Sequence, residues 1–359
     1  MKFQTILLVS ILLTNCTVED DDNEELFNNF DKYISIKTDS IQLSTKLLWA
    51  EYIIISDSLL IFYEVRNLGE YLFNIYDKRN FSFIKGYAKK GRGPGEYSVP
   101  GFIAFDKAKK NIWMPRDNSN DILQIDSIIN KTSYLPRKKT FQSDQYKYTS
   151  VTRNITEKYV ITSGANEPFN VLFFDKRTGD LIKKIGKPFI EYNEKYPDFG
   201  YSVVTRNGVF VNENDKRIAS FNTFKDLLII YDFDGNELIR RVGPDNLKVE
   251  MEFEDGLFKN NYGRRAYWLG GDVTNKYIFL TYSGKIKNSG ERERSSNTIV
   301  WNYPNTIHIF DWDGNPLVEL TLDRKVFQFA IDEESNELIG FDPYADPFHS
   351  LFKVSLEFL

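Results

Sequence analysis

A phrase that recurs along the chain constrains the fold more than any other feature. Its clearest copy is LLIIYDFDGNELIRRV at 227–242, and close copies are VLFFDKRTGDLIKKI at 171–185 and TIHIFDWDGNPLVEL at 306–320. A weaker copy, LFNIYDKRNFSFI, occupies 72–84. Each copy begins with an apolar run of about five residues, too short for a helix and rich in strand-forming side chains. The phrase therefore predicts a β-hairpin.

The residues of the clearest copy also predict how its first strand is buried. Side chains pointing to both faces of 227–231 are apolar, which is typical of a strand covered on both sides. The Asp-x-Asp-Gly spelling at 232–235 and 311–314 has two interpretations, a plain turn or the start of a calcium loop. A calcium loop uses a bidentate carboxylate at its twelfth position, for which Glu237 and Glu319 are poor matches. We therefore favour the turn.

The composition indicates an all-β protein. The 359 residues are 42% hydrophobic and 15% aromatic, with no long helix-forming stretch. A net charge of −5 gives no basic surface for nucleic acid, so no nucleic-acid partner is expected. One cysteine excludes an internal disulfide bond, and two histidines are too few for a histidine-based zinc site.

The N-terminus has the features of an export signal. Met1-Lys2 is a short positive start, and 3–14 is an apolar stretch that is too short to span a bilayer. The following Asn15-Cys16 resembles the end of a bacterial lipobox, although Asn15 stands where Gly, Ala or Ser is usual. We predict a signal peptide over 1–15 and lipidation of Cys16. The alternative is an ordinary secretory signal with a chance cysteine.

An acidic segment follows the cysteine. Residues 17–25 read TVEDDDNEE, and like charges at this density predict a solvated tether over 16–32. The segment also resembles the export signal of surface lipoproteins of the Bacteroidota. This resemblance implies an outer-membrane lipoprotein exposed at the cell surface, with a periplasm-facing anchor as the alternative. Contact with the membrane is expected through the lipid alone.

The spacing of the hairpins predicts a β-propeller. Repeats of roughly 50–60 residues are typical of propeller blades, and each hairpin would form the outer half of a four-stranded blade. We predict a single six-bladed propeller domain over 33–359. The sixth blade lacks its outermost strand, so 33–43 should complete it and close the ring. Residues 246–261 and 286–297 leave room for a seventh or eighth blade.

A glycine-rich phrase separates the first two blades. Residues 90–97 read KGRGPGEY, and this Gly-x-Gly-Pro-Gly-Glu-aromatic pattern resembles a signature of six-bladed, TolB-like β-propeller lipoproteins. The resemblance implies this fold and a cell-surface context, and the family mostly has no assigned activity. Phosphate-binding loops need a following helix, which this phrase lacks. Arg92 and Glu96 are either a structural pair across the turn or part of a ligand rim.

One face of the ring should carry the loops between second and third strands together with the junctions between blades. Functional residues concentrate on loops that a rigid scaffold holds. Arginine side chains bind carboxylates, and aromatic rings pack on sugars or peptides, so these loops are suited to bind a polar ligand. The alternative interpretation is a solvated rim of charged loops. His349 is more typical of a surface side chain than of a base. The candidate residues are Arg66, Arg92, Glu96, Arg116, Asp117, Arg153, Glu167, Glu213, Arg264, Trp268, Tyr344 and His349.

Two functions fit these features. The first is a lipid-anchored binding or scaffold module for a glycan, a peptide or a surface protein. The second is an enzyme, a lyase or hydrolase that uses arginine, tyrosine and carboxylates in the channel. No nucleophile–base arrangement is visible in the sequence, which favours binding. No cofactor is expected, with calcium or another channel cation as the alternative, and the sequence does not set the oligomeric state.

Overall fold

The computed structural model is almost entirely β-structure, arranged as six blades around a central channel. It describes residues 25–66, 69–93, 96–98, 101–116, 119–131, 133–140, 149–164, 169–187, 207–247, 251–254, 257–260, 266–284 and 303–359. In this part of the chain, no helix has the length and apolar character needed to cross a membrane.

The first half of the chain contains three N-terminal strands and three blades. The N-terminal strands are β1 (Glu25–Leu26), β2 (Lys32–Ile36) and β3 (Asp39–Ile41). Blade one contains β4 (Tyr52–Ser56), β5 (Leu59–Tyr63), β6 (Tyr71–Asp77) and β7 (Phe83–Lys89). Blade two contains β8 (Ala104–Asp106), β9 (Asn111–Arg116), β10 (Ser119–Gln124) and β11 (Arg137–Thr140), with a 3-10 turn (Lys107–Lys109) and helix α1 (Ile125–Asn130). Blade three contains β12 (Thr149–Ile155), β13 (Tyr159–Gly164), β14 (Val171–Asp175) and β15 (Leu181–Ile185).

The second half contains the remaining blades and one separate pair of strands. Blade four contains β16 (Asn207–Asn212), β17 (Arg217–Asn222), β18 (Leu227–Asp232) and β19 (Glu237–Val242). The separate pair is β20 (Met251–Glu254) with β21 (Leu257–Asn260). Blade five contains β22 (Tyr267–Val273), β23 (Tyr277–Tyr282), β24 (Thr306–Asp311) and β25 (Pro316–Leu322). Blade six contains β26 (Gln328–Asp332), β27 (Glu337–Phe341) and β28 (Leu351–Ser355).

The N-terminal strands join three blades. Strand β3 pairs antiparallel with β28, which confirms that the N-terminal segment completes blade six and closes the ring. Strand β2 adds to the outer edge of blade five, parallel to β25, and β1 adds to blade four, parallel to β19. Phe27 and Phe30, from the segment between β1 and β2, are buried between blades four and five. We call residues 25–41 the N-terminal strap.

The blades pack through apolar layers. The described residues form six buried clusters, and each cluster lies between one pair of neighbouring blades. A blade is therefore covered on both faces, which explains why both faces of its middle strands are apolar. In β18, the five residues from Leu227 to Tyr231 are buried, as the sequence predicts.

The turns of the repeated hairpins are closed by their own aspartates. Asp232 accepts hydrogen bonds from the backbone N–H groups of Gly235 (2.7 Å) and Asn236 (2.8 Å). Asp311 accepts a hydrogen bond from the N–H of Asn315 in the same way, at 2.8 Å. These bonds support the plain-turn interpretation, because carboxylate oxygens that face backbone donors are poorly placed for a cation.

Buried ion pairs link two of the blade interfaces at equivalent positions. Lys176, just after β14, donates to Asp106 at the end of the inner strand of blade two, at 2.7 Å. Lys78, just after β6, bonds Asp332 at the end of the inner strand of blade six, at 2.8 Å. Both aspartates are at most 6% exposed. Charge pairing thus supplements apolar packing between blades two and three and between blades six and one.

Candidate functional site

The loop face is the side of the ring that carries the loops between second and third strands and the junctions between blades. Five residues of this face form one cluster, which we call the Arg66 cluster. Arg66 lies between β5 and β6, Tyr303 between β23 and β24, and Tyr344 between β27 and β28, whereas Trp49 and Phe327 lie at blade junctions. The cluster spans blades five, six and one, where the closure of the ring brings them together.

Arg66 lies flat against a buried indole. Its guanidinium carbon is 3.4 Å from the centre of the Trp49 ring. Arg66 is nevertheless an exposed residue. Trp49 is 6% exposed and donates its Nε1–H to Glu51 at 2.8 Å. This bond fixes the ring, and stacking on the ring fixes the plane of the guanidinium.

Tyr303 joins Arg66 to the aromatic part of the cluster. Burial raises the pKa of the Tyr303 hydroxyl, and the neighbouring Arg66 guanidinium acts on that pKa in the opposite direction, which places the two groups close together. The ring centre of Tyr303 is 5.0 Å from that of Phe327 and 5.7 Å from that of Tyr344. Tyr344 is 48% exposed. The exposed arginine and the exposed ring are therefore separated by one buried tyrosine.

The charge of Arg66 has no ion pair among the described residues. No carboxylate oxygen in that part of the chain forms a salt bridge with it at 4.0 Å or less. The Glu51 carboxylate accepts the hydrogen bond from Trp49. An oriented guanidinium with an open edge is suited to bind an anionic group.

A buried ion pair supports Arg66 from below. Lys90 is 3.4 Å from the Glu64 carboxylate and donates to the backbone carbonyl of Arg66 at 2.6 Å. Burial raises the pKa of Glu64 and lowers the pKa of Lys90, since each charge is removed from water. The pair ties the β5–β6 loop to the start of the glycine-rich phrase, which positions Arg66.

Glu96 explains the spacing of the glycine-rich phrase. Its carboxylate accepts the N–H of Gly93 at 2.9 Å and pairs with Lys89 at 3.5 Å. A β-carbon at Gly91 would collide with the same carboxylate. The Glu96 side chain therefore organises the loop from within and forms a salt bridge with Lys89, whereas Arg92 is exposed.

The other predicted site residues are distributed more widely. His349 is exposed on the loop face, and its carbonyl accepts a hydrogen bond from Arg324 at 3.2 Å. Three candidates are placed by backbone only: Arg116 ends β9, whereas Arg153 and Trp268 lie in the inner strands β12 and β22. Arg153 and Trp268 are therefore strand residues, whereas we expected both at junctions between blades. The candidates outside the described residues are Cys16, Asp117, Glu167 and Arg264.

The prediction for Glu213 was wrong. It lies in the turn between β16 and β17, the first and second strands of blade four, and hence on the opposite face from Arg66. There it accepts the N–H of Glu157 from the next blade at 2.8 Å. The second strand of blade four is Arg217–Asn222, which pairs with both Asn207–Asn212 and β18, so Glu213 follows the first strand of the blade and not the second.

The opposite face holds a cleft of about 820 Å³ between blades six and one. Its walls carry both signs of charge, and these charges are paired with each other. Lys78 bonds Asp332 and Glu334, and Lys353 bonds Glu337 at 2.7 Å. The loop face is the stronger candidate, since its arginine is oriented and lacks such a partner among the described residues.

Sequence reasoning missed three residues of the cluster, Trp49, Tyr303 and Phe327, together with Glu51, which accepts the hydrogen bond from Trp49. Each lies in a short junction or loop segment beside a strand, which is the only local signal they offer.

Among the described residues, no group of three His, Cys, Asp or Glu side chains is arranged to hold a metal ion.

Comparison with known proteins agrees with this architecture. The family described as TolB-like 6-blade propeller-like matches residues 30–334, so the chain belongs to that family. A solved structure of a DUF4221 family member from Bacteroides vulgatus superposes with a TM-score of 0.55 at 11% identity, covering 89% of this chain and 96% of that one. A putative exported protein from Bacteroides fragilis gives 0.52 at 12% identity, with 90% and 99% covered. At these identities the likeness concerns the fold alone. No curated protein matches the chain.

Proposed function

We propose that the protein is a lipid-anchored β-propeller of the cell envelope that binds a glycan, a peptide or a surface protein on its loop face. The observation that carries this proposal is the Arg66 cluster, in which an exposed guanidinium is oriented by a buried ring. Fixed orientation lowers the entropic cost of binding, because the side chain does not have to be ordered by the ligand.

The proposed location rests on the N-terminal sequence. The lipobox-like segment that ends at Cys16 and the acidic residues after it support an outer-membrane lipoprotein facing the cell surface. The strap begins at Glu25, so only 17–24 would separate the lipidated residue from the first strand. Metabolic labelling with a palmitate analogue tests this directly. Wild type should be labelled and Cys16→Ser should not, whereas equal labelling of both would refute the anchor.

Binding is tested with residues 25–359, which comprise the strap and the blades. We would screen this protein against glycan and peptide arrays and confirm each hit by thermal shift, since a ligand of the folded state raises the melting temperature. Hits that weaken in an Arg66→Met variant support the loop face. A folded sample that binds neither array would argue against recognition of glycans and peptides and would leave a surface protein to be sought.

A further inference from the structure

We propose that the ligand of the loop face is an acidic saccharide, whose carboxylate is bound by Arg66 and whose sugar ring stacks on Tyr344. This inference rests on the proposed binding function and names the class of ligand. Two observations support it independently. The Arg66 guanidinium is oriented by Trp49, and the exposed ring of Tyr344 lies in the same cluster.

The guanidinium is arranged for a planar anion. One of its faces is covered by Trp49 at 3.4 Å, and the guanidinium lies close enough to the Tyr303 hydroxyl to interact with it electrostatically. The side chain is otherwise exposed, with no carboxylate of the described chain within salt-bridge distance. Arginine presents five donors in a fixed fork, which matches the two oxygens of a carboxylate. A lysine would supply charge without this geometry.

Tyr344 supplies an aromatic surface close to that fork. Its ring centre is 5.7 Å from that of Tyr303, which lies beside Arg66, and nearly half of its surface is exposed. The loop that carries it is braced, because Asp342 accepts the N–H of Tyr344 at 3.0 Å and lies 3.7 Å from Arg324. A sugar presents apolar C–H groups on its ring face, which suits contact with an aromatic ring.

The same geometry favours a saccharide over a peptide. Peptides are commonly bound along an open strand edge or with an amphipathic helix in an apolar groove. The described residues of the Arg66 cluster lie in loops and blade junctions, not along a strand edge or on a helix. The flat guanidinium of Arg66 and the flat ring of Tyr344, with Tyr303 between them, match a single uronic acid unit better than an extended peptide backbone.

The test compares matched ligands with residues 25–359. Isothermal titration would use a trisaccharide of galacturonic acid, its methyl ester, and a neutral galactose trisaccharide. A short peptide with a free C-terminal carboxylate and its amide form the second arm. The proteins are wild type, Arg66→Lys, Tyr344→Ala, and Arg79→Met as a control on the opposite face, where Arg79 is exposed beside Asp77.

We expect the acid to bind, and the ester and neutral sugar to bind at least about tenfold more weakly. Arg66→Lys should cost about tenfold or more, because it keeps the charge and loses the fork. Tyr344→Ala should weaken the acid and Arg79→Met should not. Equal binding of acid and ester, or an unchanged Arg66→Lys, would overturn the inference. Binding of the peptide acid alone would also overturn it while leaving the binding function intact. Failure of every probe to bind would also overturn the inference, and silent glycan and peptide arrays would in addition argue against recognition of glycans and peptides by the proposed binding module.

Discussion

Breaking the ion pair between blades two and three should destabilise the ring strongly. Lys176 is 11% exposed and Asp106 is 2% exposed, with 2.7 Å between them, and Lys176 also donates to the Thr156 carbonyl at 2.7 Å. Lys176→Met leaves the aspartate charged, buried and without its cation. Removing one partner of such a pair typically costs about 3–5 kcal/mol. Urea unfolding of residues 25–359 should show a lower midpoint with an unchanged slope.

Two companion variants make this test specific. Asp106→Asn combined with Lys176→Met removes the stranded charge, so the double variant should be more stable than Lys176→Met alone. Lys107→Met, in the exposed pair with Glu333, should leave the midpoint nearly unchanged. A Lys176→Met protein as stable as Lys107→Met, or a double variant no more stable than Lys176→Met alone, would mean that Lys176→Met does not leave a costly unpaired charge between the blades.

Three further predictions concern the strap, the buried His308 of blade five and the glycine-rich loop. Phe30→Ala should cost about 3–5 kcal/mol in urea unfolding, because Phe30 is 5% exposed and packs on His308 at 4.6 Å. Burial lowers the pKa of His308, so this side chain binds a proton more readily in the unfolded chain than in the folded one. Relative to a His308→Phe variant, the wild-type protein should therefore lose stability as the pH falls below about 6.5. Gly91→Ala should cost about 1–3 kcal/mol and speed hydrogen exchange at 89–97, because its β-carbon would displace the Glu96 carboxylate.

Each of these predictions has an outcome that contradicts it. A Phe30→Ala protein that unfolds at the wild-type midpoint would mean that the strap does not contribute to the folded state. A pH profile identical in wild type and His308→Phe between pH 6.5 and about 5 would mean that His308 is not held neutral by burial. A Gly91→Ala protein with unchanged exchange at 89–97 would show that the loop accommodates a side chain, with Gly101→Ala as the control because its β-carbon position is open.

Much of the fold could be predicted because its signals are local. The repeated hairpins at 171–185, 227–242 and 306–320 are the third and fourth strands of their blades, and their turns are fixed by nearby aspartates. The missing strand of blade six predicts closure by the N-terminus, which β3 provides. The separate pair β20–β21 is not a seventh blade.

Other features depend on packing between distant segments and leave little trace in the sequence. The added strands β1 and β2 run parallel to blades four and five, and the short acidic segment that contains β1 has no strand pattern. The Arg66 cluster forms only when ring closure brings Trp49 beside Tyr303. Arg66 and Tyr344 could be predicted individually as exposed loop residues, whereas the support that orients them could not.

The most direct test of the loop-face site is hydrogen exchange, measured by mass spectrometry, on residues 25–359 with and without the galacturonic acid trisaccharide. The account predicts slower exchange in the segments that carry Arg66 and Tyr344, around 64–72 and 342–350, and unchanged exchange in the β16–β17 turn on the opposite face. Protection confined to the cleft around Lys78 and Lys353, with none at Arg66 or Tyr344, would contradict it.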